Sequence, residues 1–337
     1  MSSRRPAVLA VDSGATKIDA ALIGADGRVI AAVRGRGTSF SPEDHDQSVE
    51  ALLRVLGAVA GTDGDAPSGP LADVAVFCIA GADLPVDDRR LTKAMRGLGM
   101  ADEVILRNDT FAVLRAGTDR QWGVGVVCGT GLNCAAVSPS GRTVRYAALG
   151  QISGDEGGGG WMGEMALATA VRSRDGRGPK SILERAVPEH FGLRAPLAVT
   201  EAIHTGKVDK RRLTQLPPLV MRCAAEGNAP SRALVEHLAD EVAGMVRSAL
   251  RRLRMTRLDV DVALGGGILR GGDPHFMECV TAGILSVAPK ARMRPLTGPP
   301  VVGSALLGLD RLGASNGAYA KVREKLTDER LAGDGRV

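Results

Sequence analysis

Two short segments of this sequence join a strand to a turn of small and polar residues. In the first, Ala7–Val11 is an apolar run, Asp12 follows it, and the turn Ser13–Thr16 leads to Lys17. Small side chains let backbone N–H groups approach anionic oxygens, while a hydroxyl and an ammonium group add donors. The segment therefore predicts a phosphate site at Ser13, Gly14, Thr16 and Lys17, with Asp12 placed to hold Mg2+ through water. A hairpin whose Asp and Gly serve only turn geometry is the alternative.

The second segment repeats this pattern more than one hundred residues later. Trp122–Cys128 is an apolar run, Gly129–Gly131 is the turn, and Leu132–Val137 is the next strand. A third strand follows another tight turn in each copy, over Val29–Val33 in the first and Thr143–Leu149 in the second. The repetition predicts a duplicated domain whose two phosphate turns face a cleft, and it adds Gly129, Thr130 and Gly131 to the expected phosphate site.

A carboxylate also follows a strand farther along the chain. Val104–Leu106 reads as a short strand, and Asn108 and Asp109 come directly before a helical stretch that runs through Ala116. Ligands of α/β sheets bind at the carboxyl ends of strands, so Asp109 is a candidate catalytic residue. Asn and Asp are also preferred N-cap residues, and a purely capping role is the alternative.

Two glycine-rich segments follow strands in the second half of the chain. Gly150–Gly160 is predicted to be irregular, carries Asp155, and leads into a helix from Trp161. Such a loop binds a ligand closely or acts as a hinge, with a surface linker as the alternative. Gly265–Gly267 ends a strand predicted over Leu258–Leu264, and it offers a flat backbone surface to an adenine or ribose unless it is simply a strand-to-helix turn.

Composition limits the class of protein. A chain of 337 residues is comfortable for two domains. The net charge is +5, but the basic residues are scattered and aromatic residues make up only 3%, so nucleic acid is not an expected partner. No apolar run has the length of a membrane span, and the N-terminus leads directly into a strand, so we expect a soluble, cytoplasmic protein. The five cysteines contain no C-x-x-C pair, which disfavours disulfides and structural zinc.

The order of five motifs resembles that of the sugar kinase, actin and chaperone superfamily: VDSGATK, RNDTFA, CGTGLN, SGDEGGGGWMG and LGGGI. Within it the chain resembles the BadF/BadG/BcrA/BcrD-type ATPase family, which includes N-acetylglucosamine kinase, from Val8 to about Leu312. The resemblance implies an α/β fold of two ribonuclease-H-like, actin-like ATPase domains around a central cleft. The implied divisions are an N-terminal domain over 1–118 that a C-terminal helix near 303–315 completes, a larger domain over 119–302, and a tail over 316–337.

The resemblance also implies an activity and a set of site residues. ATP would lie against the turns at Gly14–Thr16 and Gly129–Gly131 and against Gly265, Gly266 and Gly267, with Asp12 near Mg2+ and Asp109 as the catalytic base. The sugar would be held by Thr38, Ser39, Ala80, Gly81, Asn108, Asp109, Gly150 and Asp155. The implied reaction is ATP-dependent phosphorylation of a sugar hydroxyl, with N-acetylglucosamine to N-acetylglucosamine 6-phosphate as the best match. A homodimer is expected.

Departures from the family pattern leave the acceptor open. Gly37–Pro42 matches only part of the loop that holds an acetamido sugar, and Ala80 stands where those kinases often have Ser. Glucosamine, glucose, another sugar or a cyclitol are therefore alternative acceptors. An ATPase that activates a partner enzyme is less favoured, because this chain has no evident cysteine pair for a bridging iron-sulfur cluster. A regulatory sugar-binding protein would have no need of Asp109.

Overall fold

The first of two sheets is formed by the N-terminal third of the chain. The structure is a computed structural model, and it describes residues 5–38, 40–62, 65 and 67–333. Five strands lie in the order β3-β2-β1-β4-β5. The strands are β1 (Val8–Ser13), β2 (Lys17–Ile23), β3 (Val29–Arg36), β4 (Ala72–Ile79) and β5 (Ala101–Asn108). β1 is buried along its whole length, as its continuous apolar run predicts.

The second sheet has the same topology as the first. Its order is β10-β9-β6-β7-β8. The strands are β6 (Gly123–Cys128), β7 (Leu132–Val137), β8 (Thr143–Arg145), β9 (Asp261–Gly265) and β10 (Arg292–Pro295). In each sheet three antiparallel strands are followed by two that run parallel to the first of them. The prediction of a duplicated α/β fold is therefore confirmed.

Helices cover both sheets. The helices α1 (His45–Ala60) and α2 (Pro85–Gly97) pack on the first sheet, and α3 (Asp109–Gly117) lies between the two sheets. Those of the second half are α4 (Gly158–Asp175), α5 (Leu183–His190), α6 (Pro196–His204), α7 (Pro217–Ala225), α8 (Ala229–Arg252), α9 (Gly267–Gly271) and α10 (Pro274–Leu285), with 3-10 turns at Gly150–Ser153 and Lys210–Gln215. Among the described residues no helix has both the length and the apolar character needed to cross a bilayer.

The C-terminal segment returns to the first sheet. It forms α11 (Val301–Arg311), α12 (Asn316–Lys325) and α13 (Asp328–Gly333). Apolar side chains of all three helices share one buried cluster with Val8 and Ala10 of β1. The segment predicted as a tail over 316–337 thus contains two helices whose apolar faces add to the core of the first domain.

Three local predictions differ from the structure. β8 ends at Arg145 instead of Leu149, and Ala148 then adopts a left-handed φ of 50°, which a continuing strand does not allow. The segment Gly150–Gly160, predicted to be irregular, forms a 3-10 turn and the first turn of α4. β5 begins at Ala101, three residues before the predicted Val104, because it pairs with β4 along its length.

Candidate active site

The first predicted phosphate turn is a tight hairpin that is held from one side. The Gly14 N–H donates to the Lys17 carbonyl at 2.9 Å, as a hairpin turn requires. Gly37 packs against this turn so closely that a Cβ there would overlap the Lys17 nitrogen and the Gly14 oxygen. Gly37 is a residue that the sequence did not identify, because its role depends on contact with a turn twenty residues earlier.

The second predicted phosphate turn supports the start of α4. The Gly129 N–H donates to the Gly131 carbonyl at 2.9 Å, and the Gly159 and Gly160 N–H groups donate to Gly129 O and Thr130 O at 2.7 and 2.9 Å. Gly158 has a φ of +85°, and a Cβ on it would overlap the Gly131 backbone. The glycine-rich segment therefore packs directly against this turn. The positive end of the α4 dipole lies at the same place.

The third glycine segment joins the second turn. β9 ends at Gly265 and α9 begins at Gly267, so the segment is the strand-to-helix turn that the sequence left as an alternative. It is also in close contact with the end of β6. Gly266 has a φ of +91°, and a Cβ on it would overlap the Cys128 carbonyl. A Cβ on Gly129 would lie 3.7 Å from Gly267 N. Backbone alone therefore lines this part of the site.

Asp12 is a buried carboxylate without a direct partner. It is 6% exposed and lies opposite Asp19 in the register of β1 and β2. Burial raises the pKa of Asp12 well above its usual range, and repulsion from Asp19 and Asp109 raises it further. Within the described part of the chain no hydrogen bond or ion pair reaches the Asp12 side chain, and the buried hydroxyl of adjacent Ser13 also lacks a partner. Buried polar groups without partners are uncommon and indicate a missing ligand or water.

Lys17 is held in place by carboxylates. Its ammonium lies 2.9 Å from Asp19 Oδ2, and the fully buried Asp19 also binds Arg34 at 2.6 Å. Lys17 remains 27% exposed, while Thr16 beside it is exposed. A lysine ammonium has three donors, so the ion pair with Asp19 leaves donors for an anionic ligand.

Asp328 of α13 lies between the first turn and α9. Its two carboxylate oxygens are 3.9 Å from Lys17 Nζ and 3.5 Å from Arg270 Nη2. Arg270 belongs to α9, which starts at the third glycine segment. Asp328 therefore forms ion pairs both with Lys17 of the first turn and with Arg270 of the second domain.

Asp109 is the first residue of α3, and Asn108 caps the helix in its place. Asn108 Oδ1 accepts from the Thr110 N–H at 3.0 Å. This separates the two roles that the sequence left open, because Asn108 is the cap and the Asp109 carboxyl has no side-chain partner among the described residues. Burial raises the pKa of Asp109 to about 6, against the opposing effect of the Thr110 and Asp109 backbone N–H groups. A carboxylate with such a pKa is suited to general base catalysis.

Asp83 and Asn133 join this cluster, although neither was chosen from the sequence. Asp83 Oδ1 accepts from Asn108 Nδ2 and from Asn133 Nδ2, both at 2.8 Å. Burial raises the pKa of Asp83 to about 7, with further contributions from the nearby Asp109 and Asp87. A signal was present in the sequence: Asp83 comes four residues after the apolar run Val74–Ile79, and Asn133 ends the motif CGTGLN.

Some of the predicted sugar-binding residues lie next to this cluster. The Ala80 N–H donates to Ser13 O at 2.8 Å, which ties the end of β4 to the first phosphate turn. Gly81 follows with a φ of +93°. Thr38 Oγ1 is buried and has no hydrogen-bond partner within the described ranges. Ser39 lies outside the described residues.

Gly150 and Asp155 are not brought into the same network. Gly150 is exposed, with a φ of +78°, and starts the 3-10 turn. Asp155 accepts a hydrogen bond from Ser153 Oγ, and its N–H donates to Gly150 O at 3.1 Å. Within the described part of the chain, the contacts of these two residues stay inside their own loop, so their role in holding a sugar remains a prediction.

A second link crosses the cleft near Asp83. Arg145 of β8 binds Asp88 of α2 with two hydrogen bonds of 3.0 and 2.6 Å, and it also donates to the Ala82 carbonyl at 3.1 Å. The segment 82–88 of the first domain is thus connected to β7 through Asn133 and to β8 through Arg145. These contacts hold the two sheets together on the side where the sugar is predicted to bind.

Comparison with known proteins gives matches along most of the chain. The sequence profile of the BadF/BadG/BcrA/BcrD ATPase family matches residues 9–308. The N-acetylmuramic acid/N-acetylglucosamine kinase of Clostridium acetobutylicum is 26% identical over 264 residues, which cover 78% of this chain and 85% of that protein. The N-acetyl-D-glucosamine kinase of Dictyostelium discoideum is 26% identical over 217 residues, or 63% of this chain and 67% of that protein.

Solved structures of low sequence identity share the fold. A structural-genomics target from Chromobacterium violaceum, assigned as an N-acetylglucosamine kinase, has a TM-score of 0.68 at 24% identity and covers 90% of this chain and 99% of its own. A ROK family glucokinase from Streptomyces griseus, in complex with glucose and AMPPNP, has a TM-score of 0.54 at 15% identity, with 89% and 98% covered. These likenesses establish the actin-like ATPase fold.

Proposed function

Because the chain belongs to the BadF/BadG/BcrA/BcrD ATPase family, we propose that it is a kinase that transfers the γ-phosphoryl group of ATP to a sugar hydroxyl. The observation that carries the proposal is the position of Asp109. Its carboxyl is partly buried directly after a strand, has no side-chain partner in the part of the chain that the structure describes, and is close enough to Asp12 and Asp83 to raise the pKa of both. A phosphoryl-transfer site needs such a base beside its phosphate-binding groups.

The glycine turns supply the phosphate-binding surface. Phosphoryl transfer depends on positioning and on neutralising the charge of the β- and γ-phosphates. Open space surrounds the position of a Cβ at Gly131, so its backbone is accessible to a ligand. Lys17 and the Ser13 hydroxyl add donors from the first domain, and Gly265–Gly267 lies beside the second turn for the nucleoside. The triphosphate would thus be held from both domains.

The residues present fit a magnesium ion held mainly by ATP. The described residues contain no group of three or more His, Cys, Asp or Glu side chains that could form a metal cage. Mg2+ in kinases usually needs only one or two protein carboxylates in addition to phosphate oxygens and water. The buried Asp12 side chain, without a direct partner, meets that need. When bound, the ion would neutralise charge on the phosphates.

Asp109 would take the proton of the attacking hydroxyl. With a pKa of about 6 the carboxyl is ionised at neutral pH and is a stronger base than an ordinary aspartate. Water must be kept from this site, or ATP would be hydrolysed without transfer. The links from segment 82–88 to Asn133 and Arg145 close the cleft on the side of the acceptor and so support the exclusion of water.

We further propose N-acetylglucosamine as the acceptor, phosphorylated to N-acetylglucosamine 6-phosphate. The names of the two relatives at 26% identity support an acetamido sugar. The buried Thr38 hydroxyl, which has no hydrogen-bond partner among the described residues, supports a polar ligand at the segment that follows β3. Glucosamine, glucose, N-acetylmuramic acid and a cyclitol are the competing acceptors. The homodimer is also a proposal, and light scattering during gel filtration tests it.

A coupled ADP-release assay over a panel of sugars tests the activity. With Mg2+ and ATP present, N-acetylglucosamine is expected to stimulate ADP release above the rate with water alone, and mass spectrometry is expected to find one phosphate on the sugar. Omission of Mg2+ should abolish turnover. If no sugar on the panel raises ADP release while a protein partner or a nucleoside does, the sugar kinase proposal is wrong.

A further inference from the structure

One carboxylate oxygen joins the two domains at the floor of the cleft. Asp83 Oδ1 accepts from Asn108 Nδ2 of the first domain and from Asn133 Nδ2 of the second, both at 2.8 Å. The two amide nitrogens therefore meet at a single acceptor. Asn133 Nδ2 is also 3.4 Å from Asn108 Oδ1, so the three side chains form one group.

Each of the two asparagines lies close in the chain to a proposed catalytic or phosphate-binding residue. Asn108 precedes Asp109 in the chain and fixes the start of α3 through its bonds to Thr110. Asn133 lies on β7, two residues after Gly131. The position of Asp83 therefore affects both the end of β5, which Asp109 follows, and β7, which follows the second phosphate turn.

Charged groups from several elements face Asp83. Asp109 of α3 and Asp87 of α2 repel a negative charge on it, while Arg145 of β8 attracts one. Asp83 and Asp109 have pKa values of about 7 and about 6, so they titrate as a coupled pair in the range where a kinase works.

We propose that Asp83 is a positioning residue that couples closure of the two domains to the placement of Asp109. This rests on the proposed function. Asp83 orients Asn108, and hence the first turn of α3, only when Asn133 of the second domain also donates to the same oxygen.

The activity test compares two Asp83 variants with a matched control. Asp83→Ala removes the shared acceptor, and kcat is expected to fall between about tenfold and about a hundredfold, as for a small misplacement of a catalytic group, with KM for ATP little changed. Asp83→Asn keeps an acceptor oxygen and should retain more of kcat. A fall in kcat with KM nearly unchanged is expected of a misplaced base, whereas a general loss of structure would also raise KM for ATP.

Asp88→Asn is the control, because Asp88 belongs to the same segment and also crosses the cleft, but to Arg145. It should lower turnover modestly, and by less than Asp83→Ala. If Asp83→Ala keeps the kcat of the wild type, or if Asp88→Asn lowers kcat as much as Asp83→Ala does, Asp83 has only a structural role and the proposal is overturned.

A measurement without substrate separates this proposal from the proposed function. Protein with 15N-labelled asparagine can be studied by NMR, and Asn108→Ala and Asn133→Ala identify the two side-chain amide signals. Both signals are expected to shift in Asp83→Ala and not in Asp88→Asn. If no sugar is phosphorylated but both signals shift, the kinase proposal fails while the coupling stands. If either signal does not move, the coupling is refuted whatever the activity.

Discussion

Replacing Asp109 by Asn is expected to stabilise the protein while it abolishes most of the activity. The side chain keeps its shape, and the cap of α3 is untouched because Asn108 supplies it. The change removes a carboxyl whose pKa burial has raised to about 6. The removal of a general base lowers turnover by about a hundredfold or more.

The gain in stability follows from the pKa. A rise of the Asp109 pKa from 3.8 in an exposed chain to about 6 in the folded protein corresponds to about 3 kcal/mol. Below about pH 4 the Asp109 carboxyl is protonated in both the folded and the unfolded state, so it does not lower the free energy of unfolding. As the pH rises toward 6 the unfolded chain releases its proton first, so the folded state loses stability, and above 6 the full cost is present. The variant has no such cost.

Urea unfolding of both proteins at about pH 4 and about pH 8 measures this difference, since carboxylates that Asp109 does not influence titrate equally in both and cancel. Any change at Asp12 and Asp83, whose pKa values the Asp109 charge raises, adds to the gain at the higher pH. The variant should be more stable by at least about 3 kcal/mol at the higher pH and nearly equal at the lower one. Turnover and ATP affinity are measured on the same preparations. If the stability difference between the two proteins were equal at both pH values, Asp109 would not be a buried carboxylate that ionises in the folded protein. Near-normal turnover of the variant would refute the role of Asp109 as base.

Three further changes test the rest of the site. Gly131→Val should fold normally, because open space surrounds that position and its φ is not left-handed, but it should weaken ATP binding at least about tenfold by blocking access to the backbone. If calorimetry found unchanged ATP affinity, the turn would have only a structural role. Gly69→Val, at another open position, is the control. Gly37→Ala should lower the free energy of unfolding by about 1 to 3 kcal/mol, because its Cβ would overlap Lys17, and it should weaken ATP binding as well. A melting temperature equal to that of the wild type would contradict this close contact. Arg145→Met should lower the free energy of unfolding by about 1 kcal/mol or less, since both ion-pair partners are partly exposed, but it should lower sugar turnover several-fold. A large loss of stability with full turnover would show that the Arg145–Asp88 link stabilises the fold and does not act in closure of the cleft.

Local patterns were sufficient for most of the fold. Most strands of the two repeats contain a short apolar run bounded by turn residues, and both signals depend on residues a few positions apart. The three-residue β8 has no such run, and its end was predicted wrongly. The same is true of Asp12 and Asp109, which stand at the ends of such runs. The start of α4 was placed wrongly because glycine disfavours helix, and only contact with the Gly129–Gly131 turn favours Gly158–Gly160 in the first helical turn.

The sequence by itself determined the duplicated sheets, the glycine turns and the acidic residues at strand ends, because backbone preference and turn chemistry are local. The tertiary structure decided which of these groups are free and which are held. Asn108 takes the capping role and leaves Asp109 without a side-chain partner, while Asp83 meets Asn133, fifty residues away in the chain. It also raised the pKa values of Asp83 and Asp109, because desolvation requires a folded interior that no short stretch of sequence contains.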